Sequence, residues 1–240
     1  MPNNLNTKRL IKFWKIVGRA GVHPEDAKVV KSYNNKAKSD RKLYVNNFSP
    51  IPWVGNLLTA KVIIVMLNPG MSKLSKQIND EKLERPFLVR NLSQKNNPGL
   101  FYLNPKLKET GGGIYWRRRF KSFVERYYDN LEDGYADIAR RVCIIQLIAY
   151  HSQKDPSSVR SKLPSARIMR DWILDEVKLK QRKVLVIRGY NDIWPEKKPS
   201  NSTKLLICRG KLSTRNPSFN PTGRVSQNLA LWIEILQDYC

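Results

Sequence analysis

Four short runs of this chain are apolar on both faces: residues 60–67 (AKVIIVML), 142–149 (VCIIQLIA), 183–187 (KVLVI) and 204–208 (KLLIC). A half-buried strand alternates apolar with polar side chains. A run without that alternation belongs to a strand covered on both faces, as in a parallel sheet between layers of helices. Helical stripes fall between and after the runs: Trp116, Phe120, Phe123 and Tyr127, then Ile168, Trp172, Ile173 and Val177, then Val225, Leu229, Trp232, Ile233 and Leu236. The order predicts an α/β fold, a three-layer sandwich with a four-stranded, mainly parallel sheet flanked by helices. Ligands of such sheets sit beyond the carboxyl ends of the strands. Asn68, residues 146–151, Arg188-Gly189 and the loop after Cys208 would then face one cleft.

At 240 residues the chain suits one domain. Leu10, Phe13, Trp14 and Val17 recur at helical spacing, so residues 1–45 read as a basic helical extension packed on it. Lys and Arg number 44 against 20 Asp and Glu, a net charge of +24. Such a balance calls for a polyanion, nucleic acid before membrane, because no apolar run of spanning length and no lipidation signal accompanies it. The bland alternative is a generally basic surface. No secretory signal is legible at the amino end, so a cytoplasmic protein is expected. Cys143, Cys208 and Cys240 are too scattered for a zinc knuckle, and His23 and His151 share no ligand spacing. A mechanism without metal or cofactor is the expectation.

The first run ends abruptly in Asn68-Pro69-Gly70, and the last is followed by RGKLSTRNPSFNPTGR, which carries Asn216-Pro217-Ser218. Pro fixes the backbone, and Gly lets a ligand approach where a Cβ would stand in the way. One such turn is ordinary turn chemistry. Two, after the first and the last sheet strand, arrive at the same rim.

With these two motifs the chain resembles the uracil-DNA glycosylase superfamily, its mismatch-specific branch above all. PIPWVGNLLTAKVIIVMLNPGMS is similar to that branch's entry into its first motif, GLFYLNP to the segment bearing a base-stacking aromatic, VCIIQLIAY to a strand ending in a base-reading amide, and KVLVIRGYNDIW to the third strand with its Gly turn. The resemblance covers residues 50–240 in order. It implies that Asn68 aligns the attacking water and that Asn216 donates to the departing base. It further implies that Tyr102, or Phe101 instead, stacks on the extruded base, and that Gln146 reads its edge. Ser72 and Ser218 would hold the flanking phosphates, and Phe219 would wedge into the vacated stack. Core packing is the alternative for both aromatics and for Phe219, and a structural partner for Gln146. His151 would assist the leaving base or touch a phosphate, or else be a surface imidazole. Lys211, Arg215, Arg224 and Arg209 flank the second turn as phosphate contacts. Arg117, Arg118, Arg119 and Lys121 form a basic helix face, read as solvated. Asp171, Asp175 and Glu176 read as an exposed helix face.

Strict uracil enzymes of the family place an aromatic one residue after the first-motif proline, which shuts out C5 substituents. Gly70 stands there in this chain. Residues 77–98 and 104–115 resemble insertions that enlarge the same side. The implied activity is that of a monofunctional DNA glycosylase releasing a pyrimidine enlarged at C5, such as the glucosylated hydroxymethylcytosine of phage DNA. It would leave an abasic site, and antiviral defence would be its role. The alternatives are a uracil or thymine mismatch glycosylase of base-excision repair and a catalytically silent protein that binds modified DNA. The expected partner is DNA, phage or damaged genomic, with neither membrane nor obligate protein partner implied. A Schiff-base lyase finds no lysine in an apolar setting, and a metal nuclease finds no acidic ligand cluster.

Overall fold

The computed structural model describes residues 5–17, 21–46, 48–71, 74–96, 98–194 and 205–207. Its centre is a sheet of five strands, β1 (Trp53–Val54), β2 (Val62–Met66), β3 (Val142–Gln146), β4 (Lys183–Val186) and β5 (Leu205–Ile207), in the order β1-β3-β2-β4-β5. The apolar runs of the sequence form β2 to β5, and β2 and β3 are buried at every position. Parallel pairing joins β3 to β2, β2 to β4 and β4 to β5. Strand order reverses about β2: the chain leaves it for β3 on one side and returns to β4 on the other. In doubly wound sheets that reversal opens a crevice at the strands' carboxyl ends.

The expected four-stranded, mainly parallel sheet is corrected to a mixed one. Trp53 and Val54 pair antiparallel with Ile145 and Ile144. The antiparallel edge continues beyond them, with the Ile51 amide donating to Ala149 O at 2.8 Å and Tyr44 bridging His151. A two-residue strand gives no period for sequence to reveal.

Sequence reading also missed α3 (Leu74–Ser93), a helix of 20 residues through the stretch taken as an insertion. Pro86 lies inside it, and its polar positions blur the stripe that marks a helix. Its function in the fold is partly to close the edge of the sheet. Asn91 accepts from the Gly55 amide at 2.8 Å and donates to Trp53 O at 2.8 Å, while Gln94 accepts from the Leu57 amide and donates to Gly55 O. Edge groups that would otherwise invite another strand are thereby satisfied.

Helices α4 (Gly111–Tyr127), α5 (Leu131–Arg141) and α6 (Pro164–Leu179) follow ordinary signals. Thr110 and Asn130 cap α4 and α5, and α6 opens on Pro164 and ends at Lys180 with φ +52°. Glu176 on α6 is buried and pairs with Arg182 at 2.9 Å, so it is not on a solvated face as its sequence neighbours implied.

The amino-terminal helices α1 (Leu5–Lys15) and α2 (Ala27–Lys36) share the same core. Leu10 and Trp14 are buried, and Trp172 donates its indole N–H to Thr7 Oγ1 at 3.0 Å. His23, which carried no signal in sequence, is buried and stacked on Phe13. Tyr150 donates to Asp26 Oδ2 at 2.5 Å and accepts from the His23 amide at 3.1 Å, which locks the segment to the end of the β3 strand.

Among the described residues no helix is long and apolar enough to cross a membrane.

Candidate functional site

A cavity of about 650 Å³ lies at the carboxyl ends of β2, β3 and β4. Residues 66–71 line it from β2, Gln146 and residues 151–155 from β3, and residues 187–189 from β4. Glu84 of α3, Tyr102, and Gly111, Gly112, Tyr115 and Trp116 of α4 complete the wall. The size falls within the ordinary range for a small-molecule site and exceeds what a bare pyrimidine ring fills.

Asn68 ends the β2 run, and its amide is oriented without ambiguity. Nδ2 donates to Pro69 O at 3.0 Å and to Ser152 Oγ at 2.8 Å; Ser152 in turn donates to Lys154 O at 2.7 Å. A carbonyl can only accept, so the nitrogen must face Pro69, and the serine proton is already engaged. Both N–H groups of Asn68 are therefore committed, and Oδ1 remains as the acceptor available to a ligand or water. Nothing in the sequence marked Ser152, whose partner lies 84 positions away.

Gly70 is fixed from the other strand end. His151 Nδ1 lies 2.8 Å from Gly70 O, and since the carbonyl accepts, Nδ1 holds the proton. Burial lowers the His151 pKa, with the bond to Gly70 opposing, so the ring is neutral at pH 7 and Nε2 keeps its lone pair. The expectation of a surface imidazole is thus overturned: the residue is 3% exposed. A Cβ added to Gly70 would meet no atom within 4 Å, so the space beside it is open.

Two buried acceptors of this lining have no partner, Gln146 Oε1 and His151 Nε2. An unmet buried acceptor costs roughly 1–3 kcal/mol, and native folds keep few of them except where function asks for one.

On the opposite segment of the chain, Tyr102 and Gly112 interlock. A Cβ on Gly112 would lie 2.1 Å from the Tyr102 ring, which explains a glycine in the first turn of α4. The Tyr102 hydroxyl donates to Glu84 Oε2 at 3.3 Å. Burial and the neighbouring carboxylates push the phenol pKa up, so it stays a donor. Phe101 packs on Phe87 and Tyr102 and is absent from the cavity lining, so of these two aromatics Tyr102 is the one that reaches the cavity.

Glu84 is 3% exposed, and burial first, then Asp80 and Glu81, raise its pKa to about 7, against an opposing hydrogen bond from Thr110. The fold binds this proton more tightly than the unfolded chain does. Its stabilising contribution is complete below the ordinary carboxyl pKa of 4.5 and is lost as pH rises through about 7. At about 1.4 kcal/mol per pH unit the loss reaches roughly 3 kcal/mol. Glu84→Gln is therefore expected to raise the melting temperature at pH 8 and to leave it nearly unchanged at pH 4.5, as read by thermal denaturation across pH. A gain of equal size at both pH values would show that Glu84 is not protonated in the fold.

Cations of the lining are Lys154, Arg160 and Arg188. Lys154 pairs with Asp40 at 2.5 Å, and Arg160 lies 4.0 Å from Asp155. Half of the basic face expected on α4, Arg117 and Arg119, is turned inward. Arg117 donates to Leu103 O at 2.7 Å, pairs with Glu132 and covers the Tyr135 ring, and Arg119 sits 3.5 Å over Tyr115. Lys121 pairs with Glu125 and Arg118 remains exposed. Ser72, Arg209, Lys211, Arg215, Asn216, Ser218, Phe219 and Arg224 lie outside the described residues. Among the described residues no group of three His, Cys, Asp or Glu could hold a metal ion.

The fold is that of an α/β protein with a cavity at the reversal of strand order. No model of a known protein family matches the chain, and no curated protein and no solved structure does.

Proposed function

We propose that the protein is a monofunctional DNA glycosylase of uracil-DNA glycosylase-like three-layer architecture. It extrudes a pyrimidine enlarged at C5, glucosylated hydroxymethylcytosine being the leading case, and hydrolyses its N-glycosidic bond. The observation that carries the reading is Asn68 in the cavity wall, with its amide nitrogen tied down by Pro69 O and Ser152 so that Oδ1 is left to accept.

Cleavage of an N-glycosidic bond proceeds through an oxocarbenium-like sugar, so positioning a water and accommodating a departing base matter more than a strong base. Asn68 Oδ1 accepts a hydrogen bond from the water and so aims the water's lone pair at the anomeric carbon. As the C–N bond breaks, its electron pair leaves with the base; the water oxygen bonds to the sugar carbon and its proton passes to solvent. Asn216 would donate to the leaving ring. Tyr102 supplies a face beside the base, and the cationic residues Lys154, Arg160 and Arg188 suit flanking phosphates. The net charge of +24 supports a polyanionic partner. The Gln146 side chain, in the cavity lining, supplies an amide to meet the base edge. The open space at Gly70 admits the C5 substituent. The same chemistry in phage DNA would make the enzyme an antiviral one, working in the cytoplasm on invading DNA.

Excision assays on duplexes holding glucosylated hydroxymethylcytosine, T·G or U·G test the reading. Release from the first is expected; release of uracil with none of the first would transfer the protein to mismatch repair. Ser152→Ala frees the Asn68 amide to rotate and is expected to slow excision about tenfold, the effect of one lost hydrogen bond, with a smaller change in DNA affinity. Unchanged single-turnover rates would remove Ser152 from the mechanism.

A further inference from the structure

We infer that Glu84, with the Tyr102 hydroxyl bonded to it, is the subsite that reads the hydroxyl groups of a sugar-like substituent on the base. The inference rests on the base-release reading for the identity of the ligand and on the cavity wall for its chemistry.

The wall supplied by α3 and the first turn of α4 differs in character from the strand ends. Lys154, Arg160 and Arg188 line the latter, with Asp155 4.0 Å from Arg160, whereas Glu84 is the acidic residue of the former and has no cation beside it among the described residues of the lining. A carboxyl repels phosphate, so this wall is built for some other part of a nucleotide. The neighbouring acids are engaged elsewhere: Asp80 accepts from the Gly111 amide at 2.8 Å, and Glu81 accepts from the Ser49 amide and hydroxyl. Glu84 is left with Tyr102 and Thr110, facing the cavity.

A carboxyl whose pKa burial raises to about 7 can donate as well as accept, and the phenol beside it can turn to do the same. That is the complement of an alcohol. Gln146 and His151 line the cavity at the strand ends, each less than a tenth exposed. With the base edge assigned to that side and Gly70 open at C5, the substituent has the Glu84 side left to it.

The test measures duplex affinity by fluorescence anisotropy in the Asn68→Ala background, so that the DNA stays intact. Duplexes carry 5-hydroxymethylcytosine, its glucosylated form, or 5-aminomethylcytosine. The glucosylated duplex is expected to bind most tightly, and Glu84→Gln to cut its advantage over the hydroxymethyl duplex by about tenfold, as for hydrogen bonds to an ionisable group. Tyr102→Phe, which removes only the hydroxyl, should cut it about threefold and guards against a folding defect in the first variant. An advantage unaffected by Glu84→Gln, or tighter binding of the aminomethyl duplex, overturns the subsite. Base release by the chain with Asn68 intact is scored separately. No release from any duplex, alongside a Glu84-dependent preference for glucose, would sink the glycosylase reading and leave the subsite standing.

Discussion

Asn68→Ala is expected to slow release of the modified base by about 10²–10⁴-fold, the range for removal of a group that positions or polarises a reacting water, while the dissociation constant for the same duplex changes less than about threefold. The asymmetry follows from the site. Asn68 Nδ2 is bonded to Pro69 O and Ser152, neither of which belongs to the DNA, so its removal takes away the acceptor for water and little of the grip on the strand. Single-turnover excision and anisotropy on one set of duplexes check both halves. Equal losses in rate and affinity would recast Asn68 as a DNA contact and favour a protein that binds modified DNA without cleaving it.

Gly70→Tyr is expected to lower excision of the glucosylated base by about 10²-fold, since overfilling a packed site costs around 1–3 kcal/mol and more when the intruder is a ring. Uracil, with no C5 substituent, should lose far less, so the ratio of the two rates reverses. The effect is steric and local. A Cβ at Gly70 meets nothing within 4 Å, so the new ring need not disturb the loop, and the His151 bond to Gly70 O involves only backbone of residue 70. Competition between the two substrates in one reaction reads the ratio directly. If both rates fell together, the open side of Gly70 would not be where the substituent lies.

How far the site could be read from sequence depends on the range of each interaction. Val62–Met66 and Val142–Gln146 were legible because a strand buried on both faces leaves an uninterrupted apolar run, and the turn after the first of them displays Asn68 and Gly70 by residue type. Gln146 stood out as an amide in an apolar run. Ser152 and Glu84 gave no such sign. Ser152 acts on Asn68 across 84 positions of chain, and Glu84 belongs to a helix whose periodicity is masked by Pro86 and by buried acids that look exposed in sequence. Arg117 and Arg119 misled in the opposite direction, since a cation folded over an aromatic ring or onto a carbonyl is indistinguishable in sequence from a solvated one.

The account turns on a water held by Asn68 Oδ1 against the sugar of an extruded, C5-enlarged pyrimidine. Mass spectrometry of the small molecules freed from genomic DNAs that differ only in cytosine modification tests this most directly. The account predicts free glucosylated hydroxymethylcytosine together with abasic sites in the DNA, both lost with Asn68→Ala. Intact DNA and no free base after prolonged incubation at saturating, binding-competent protein would contradict it.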